Sequence, residues 1–315
     1  MKRNRSLSLL LGLASLAGAG SASAVIIASA DGTGNTTASG SNFDAWNNVG
    51  RISNVNVPSS VTYVSNNWFL TAWHVRTNDL PASVILAGVT HSINPSTWTP
   101  ILNSDGTQTD LVMFRVDGAV TNAPSRLMAQ DTGPSPGNDV TMIGHGRDRA
   151  VNLTYWDADW NVTDEANQAY AGYAWGANNG TKRWGGNTVE GYNLIDYPVK
   201  DRTLTTTVFR TEFTRNAGAD EAQGATYDSG GGVYQLSGGH WYLSGIMINI
   251  GPVGRSTAAS KAVFGDVTYS ANIGTYSNQI SSIAAIPEPN AMLLIGAVSA
   301  AAFWRRRRMI GRMGR

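Results

Sequence analysis

The chain has no cysteine in 315 residues, so no disulfide braces it and its stability has to come from a packed core. Charged side chains are scarce at 14% while hydrophobic ones reach 42%, a balance that excludes intrinsic disorder. Histidine is rare too: His74, His91, His145 and His240 are the only four, so imidazole chemistry has few possible sources. No long segment of the middle shows a helical period. What the chain has instead is 35 glycines, 10 tryptophans and many Ser, Thr and Asn residues, the composition of strands and turns.

The two ends differ from the body. Lys2, Arg3 and Arg5 precede an apolar run through Leu13 and Leu16 to Ala19, and Ala22-Ser23-Ala24 follows. That run is too short to span a bilayer, and the small-x-small pattern is one that signal peptidase cuts, so residues 1–24 read as an export signal cleaved after Ala24. At the other end Pro287-Glu288-Pro289 leads into an apolar stretch from Ala291 to Trp304, closed by Arg305–Arg308. Such a stretch is marginal as a permanent span, while the arginines would hold its end inside the membrane. Transient membrane association follows; a plain C-terminal anchor is the alternative.

The near-neutral total hides an acidic body. Of 23 basic residues, three lie in the first five positions and six after Trp304; of 22 acidic residues only Glu288 lies outside 25–285. Residues 25–285 therefore carry 14 basic and 21 acidic side chains, a formal charge of −7, which argues against a nucleic-acid partner.

Along the body, short β-type runs alternate with turn residues. Val61–Val64 and Trp68–Thr71 flank Ser65-Asn66-Asn67 as a hairpin, and further runs occupy 83–87, 111–116, 140–143, 204–213, 232–236 and 241–250. Many short strands predict an all-β barrel or sandwich. Residues 150–190 hold four tryptophans among loop formers and read as a long ordered insertion.

A serine hydroxyl becomes a nucleophile when a base takes its proton and a third group orients that base. "GATYDSGGGVY" presents Ser229 ahead of three glycines, "NNWFLTAWHV" delivers His74 at the end of a strand, and "TDLVMFRVD" places Asp110 at the head of another. Singly each has an ordinary reading: a turn serine, a core histidine, a strand-start aspartate. Together, in the order His, Asp, Ser, they make a coincidence improbable.

Here the chain resembles the trypsin/chymotrypsin-like serine proteases. "FLTAWHV", "TDLVMFRV" and "YDSGGGVY" are similar to that family's histidine, aspartate and serine motifs. "VTMIGHGRD" and "LSGIMINIG" are similar to strands of the second half, so the resemblance covers roughly residues 50–250. It implies two packed six-stranded antiparallel β-barrels with the site between them, in a domain spanning 25–284. It implies Ser229 as nucleophile, His74 as base and Asp110 as the group that holds the imidazole. The backbone N–H groups of Tyr227 and Ser229 would form the oxyanion hole, and Asp228 would support the loop. The pocket for the substrate side chain would involve Gln223 and Ile250. A neutral Gln223 speaks against cleavage after Arg or Lys, although Glu221 lies near.

Tyr227 stands where the family has a glycine, and this is the departure on which a working oxyanion hole turns. In many members a newly exposed apolar N-terminus pairs with the aspartate beside the serine; cleavage after Ala24 would offer the Val25 amine to Asp228. An edge strand over Val25–Ala28 is the plainer alternative. The C-terminal segment, 285–315, resembles the PEP-CTERM sorting signal, which implies an exosortase-type processing enzyme and sorting to the bacterial surface or extracellular matrix. Asp157-x-Asp159-x-Asn161 has the start of a calcium loop without its glycine and glutamate, so a solvated acidic loop is expected, with no metal and no cofactor. The expected function is a secreted serine endopeptidase acting on protein or peptide substrates. The alternative is a catalytically inactive trypsin-like binding module.

Overall fold

The structure is a computed structural model that describes residues 25–284, apart from 30, 40–42, 54–58, 77–79, 121–127, 130–132, 178–179, 200–201 and 255–260. The export signal at 1–24 and the sorting segment at 285–315 lie outside the described residues. Six strands close a first barrel: β1 (Val49–Ser53), β2 (Ser60–Ser65), β3 (Trp68–Ala72), β4 (Ser83–Leu86), β5 (Val89–Leu102) and β6 (Gln108–Val116). Their order is β1-β2-β3-β6-β5-β4, with β4 returning to pair with β1.

A second set follows: β7 (Asp139–Gly144), β8 (Arg183–Val199), β9 (Arg202–Glu212), β10 (Gly232–Ser237), β11 (His240–Gly251) and β12 (Val267–Asn272). These pair as β10-β7-β8-β9-β12-β11, and β10 also pairs with β11, so the six strands form a ring. Met128–Ala129 adds to β11 as a parallel strand. Numbered from one within each set, both rings read 1-2-3-6-5-4. The repeat is one of topology, invisible in the sequence, because a closed ring constrains alternation and turns more than residue identity.

Local chemistry explains the elements. The hairpin joining β2 and β3 turns on Asn66 and Asn67 at φ +51° and +66°, a left-handed pair that asparagine tolerates better than most residues. All five residues of β3 are buried because both its faces are covered. Phe69 points into the first barrel beside Phe114, while Trp68, Leu70 and Ala72 join the apolar layer shared with Ile143, Val208 and Ile246 of the second. That shared layer is where the barrels meet, and β3 ends at its rim.

Two features differ from the sequence reading. Helix α1 (Ile273–Ala284) closes the body and buries Ile273, Tyr276, Ser277, Ile280 and Ala284, a helical stripe. Its apolar residues are few, which is why no helical period stood out. The aromatic-rich stretch is ordered as expected, with Thr154–Trp156, Val162–Thr163 and Tyr170–Ala174 in a four-stranded sheet with Lys261–Val263. Its last part, from Arg183, belongs instead to β8. There the buried face is Arg183, Gly185, Asn187 and Val189, too polar to read as a barrel strand.

Candidate active site

Strand register brings His74 to Asp110. β3 and β6 run antiparallel with Ala72 opposite Leu111, so the chain leaving β3 passes the Asp110 side chain at its next step. There it tightens into a 3-10 turn, Trp73–Arg76. Asp110 fastens that turn: its Oδ1 accepts from the His74 backbone N–H at 2.9 Å, and its Oδ2 lies 2.6 Å from His74 Nδ1. The Asp110 side chain is wholly buried and that of His74 is 17% exposed, so the carboxylate faces the imidazole and not water. In the tautomer this favours, Nδ1–H donates to Asp110 and Nε2 is left as the acceptor. His74 Nε2 lies 2.9 Å from Ser229 Oγ.

Ser229 comes from the other barrel, in the loop ahead of β10, and that loop is held on several sides. Gly230 donates its N–H to the Met247 carbonyl at 2.9 Å and accepts at its own carbonyl from Thr62 Oγ1 at 2.9 Å. Gly230 has φ +91°, and a Cβ there would come within 2.0 Å of the Ser60 carbonyl oxygen and 2.2 Å of Thr71 Oγ1. Only glycine lets the two barrels approach this closely.

Tyr227 occupies φ +82°, the left-handed region that its side chain disfavours, at a cost of about 1–3 kcal/mol. Its carbonyl accepts from the Ser60 N–H at 3.2 Å. Among the described residues, neither the Tyr227 N–H nor the Ser229 N–H has a hydrogen-bond partner.

Asp228 is 1% exposed. Its Oδ1 accepts from the Gly146 N–H at 2.7 Å, and its Oδ2 from those of Ala225 at 2.8 Å and Val25 at 3.1 Å. Burial pushes its carboxyl up to about 7, against the opposing pull of those N–H groups and Arg183. The N-terminal segment is led to this point by two devices. Ile26 and Ile27 pair with Gln223 and Ala222, and the Arg149 guanidinium donates to the carbonyls of Ile27 and Ser29, each at 2.8 Å. A short edge strand and an approach to Asp228 are thus both present.

Gln223 is wholly buried, and its Nε2 donates to the Gly224 carbonyl at 3.3 Å. Ile250, near the end of β11, pairs with Thr268, whose Oγ1 accepts from the Gly224 N–H at 2.9 Å. Ile250 therefore adjoins Thr268, and Thr268 holds the residue that follows Gln223. Glu221 is committed elsewhere, its Oε1 accepting from Thr214 N–H at 2.8 Å and Asn187 Nδ2 at 3.2 Å, with burial pushing its carboxyl up to about 7. In the acidic loop Asp157 Oδ1 accepts from the backbone of Asp159 and Asn161, both at 2.9 Å.

Sequence reasoning missed two neighbours of the site. Thr206 Oγ1 accepts from the buried Asp110 N–H at 2.8 Å, and the Tyr197 ring stacks on His74 with centroids 4.7 Å apart and planes 22° from parallel. Both sit on the outer part of the β8–β9 hairpin, more than ninety residues from their partners. Nothing in an alternating polar strand announces such contacts.

Comparison with known proteins adds the following. Residues 285–308 match the PEP-CTERM protein-sorting motif. No curated protein matches the chain. Among solved structures, the Rv3671c protease in its inactive form is similar at 15% identity, covering 76% of this chain and 91% of that one, with a TM-score of 0.43. The active form, from M. tuberculosis, is similar at 13% identity over 77% and 83% with a TM-score of 0.44. The Murine Norovirus NS6 protease is similar at 14% identity over 72% and 98% with a TM-score of 0.38. The strand pairings and the matched motif together describe a chain in which two six-stranded antiparallel β-rings are followed by a PEP-CTERM protein-sorting motif.

Proposed function

We propose that the chain is a serine-type endopeptidase, with an export signal at 1–24, a catalytic body at 25–284 and a sorting segment at 285–315. The observation that carries this reading is the unbroken series from Asp110 through His74 to Ser229, at 2.6 and 2.9 Å. Ser229 Oγ attacks the scissile carbonyl carbon while His74 Nε2 takes its proton. Asp110 accepts from the Nδ1–H and stabilises the imidazolium that forms. The carbonyl oxygen, now an oxyanion, accepts from the N–H groups of Tyr227 and Ser229, each such donor being worth about 10²–10³ in rate. Collapse expels the amine, which leaves with the proton from His74, and water then releases the acyl group from Ser229 by the same steps.

A neutral, buried Gln223 and a Glu221 already held by Asn187 and Thr214 support a substrate side chain other than Arg or Lys. Removal of residues 1–24 would turn the Val25 nitrogen into an ammonium 3.1 Å from Asp228 Oδ2, coupling export to the shape of the serine loop. The deciding experiment is labelling with a fluorophosphonate, followed by digestion of a peptide library. Wild type labels and cleaves, and folded Ser229→Ala does neither. A folded wild type that fails to label would make the body a catalytically inactive binding module. Labelling without peptide cleavage would assign ester and not peptide chemistry.

A further inference from the structure

The β8–β9 hairpin is far longer than ring closure requires. β8 pairs with β7 only over Arg183–Thr188, and β9 pairs with β12 only over Val208–Glu212. Beyond those points the two strands continue together in unbroken register from Leu194↔Thr207 to Val199↔Arg202. This outer half rises from the second barrel and lands on the first. Asn103 Nδ2 donates to the Thr205 carbonyl at 2.9 Å, Arg202 Nη1 donates to Gln108 Oε1 at 3.2 Å, and Thr206 Oγ1 accepts from the Asp110 N–H. Tyr197 is opposite Leu204 on the same extension, and its ring covers one face of the His74 imidazole.

We propose that this hairpin is a clasp across the two barrels and that Tyr197 is a positioning residue for His74. The need for one is geometric. His74 and Asp110 belong to the first barrel and Ser229 to the second, so the 2.9 Å contact between His74 Nε2 and Ser229 Oγ survives only while the barrels keep their alignment. His74 is reached after β3 has ended, on a single 3-10 turn, and the Asp110 bonds hold it along one edge of the ring. A flat ring stacked on the imidazole opposes rotation out of the plane that contains Asp110 and Ser229. The same π face attracts the imidazolium more than the neutral ring, so the contact strengthens as the proton moves from Ser229 to His74. Because Tyr197 and Thr206 share one hairpin, the second barrel grips base and acid together.

The kinetic arm rests on the endopeptidase reading; the spectroscopic arm does not. Three proteins are compared: wild type, Tyr197→Phe and Tyr197→Leu. Phe keeps the stacked ring, and Leu keeps the imidazole covered without one. The expected result is a kcat for Tyr197→Leu reduced about 10-fold with KM within about twofold, and a Tyr197→Phe kcat within about twofold of wild type. In the unliganded proteins the far-downfield proton resonance of the His74–Asp110 hydrogen bond should be sharp in wild type and Tyr197→Phe and broadened by exchange in Tyr197→Leu. Equal kcat in all three, a Leu defect confined to KM, or a resonance indifferent to the ring would overturn the proposal. If wild type shows no turnover, the endopeptidase reading fails, and the resonance still decides whether Tyr197 holds His74.

Discussion

The Val25 nitrogen at Asp228 allows a quantitative prediction about processing. In an unprocessed chain Val25 contributes a neutral amide N–H to Asp228 Oδ2, at 3.1 Å, and the carboxyl is pushed by burial from an ordinary 3.8 up to about 7. A carboxyl whose folded value is raised binds more protons folded than unfolded between those two values. Stability therefore falls as pH rises from about 4 to about 7. A shift of that size at 1.36 kcal/mol per unit amounts to about 4 kcal/mol, as an upper bound on the loss between pH 4 and neutrality. In a chain that starts at Val25, an ammonium at the same distance favours the ionised carboxyl and cancels most of that loss. Processing also frees the Val25 φ, held at +41° where a β-branched residue is strained, because that torsion needs a preceding peptide bond. The test compares urea unfolding from pH 4 to pH 7.5 for a protein starting at Val25 and one with two extra residues before it. Glu221, also raised to about 7, contributes the same slope to both and drops out of the difference. The extended form should lose more over this range, by at most about 4 kcal/mol, and react more slowly with a fluorophosphonate. Parallel pH profiles with equal reactivity would refute the coupling of Val25 to Asp228.

Two further predictions concern the serine loop. Tyr227→Gly removes a strained side chain at φ +82° and should raise stability by about 1 kcal/mol, net of glycine's entropic cost, with fluorophosphonate labelling kept within about threefold; loss of stability or of labelling would show that the tyrosine ring itself supports the hole. Gly230→Ala forces a Cβ against the Ser60 carbonyl oxygen and Thr71 Oγ1 at φ +91°, so unfolding should shift by about 3 kcal/mol or more and labelling should disappear; a variant as stable as wild type would mean that the barrels are less tightly joined than the distances indicate.

Much of this protein could be read along the chain, because the features concerned are local. Short β-type runs such as Val61–Val64 and Leu111–Val116 needed only their own β-forming residues bounded by turn residues, and the Asn66-Asn67 turn needed only the tolerance of asparagine for positive φ. The sorting segment was legible for the same reason, since polarity and length there act without a fold. The residue types of the cluster His74, Asp110 and Ser229 were also visible, in a fixed order. What the chain alone left open was whether Tyr227 takes a glycine's conformation, how a β8 strand with Arg183, Gly185 and Asn187 on its buried face is held, and which groups surround His74. Each depends on residues far away in sequence. Ser60 and Thr71 crowd the serine loop, β7 and β9 flank β8, and Tyr197 and Thr206 arrive on a hairpin from the other barrel. Periodicity says which face of a strand is apolar. Only closure of two rings, and the layer packed between them, decides which strand end meets which, and that meeting sets the distance from His74 to Ser229.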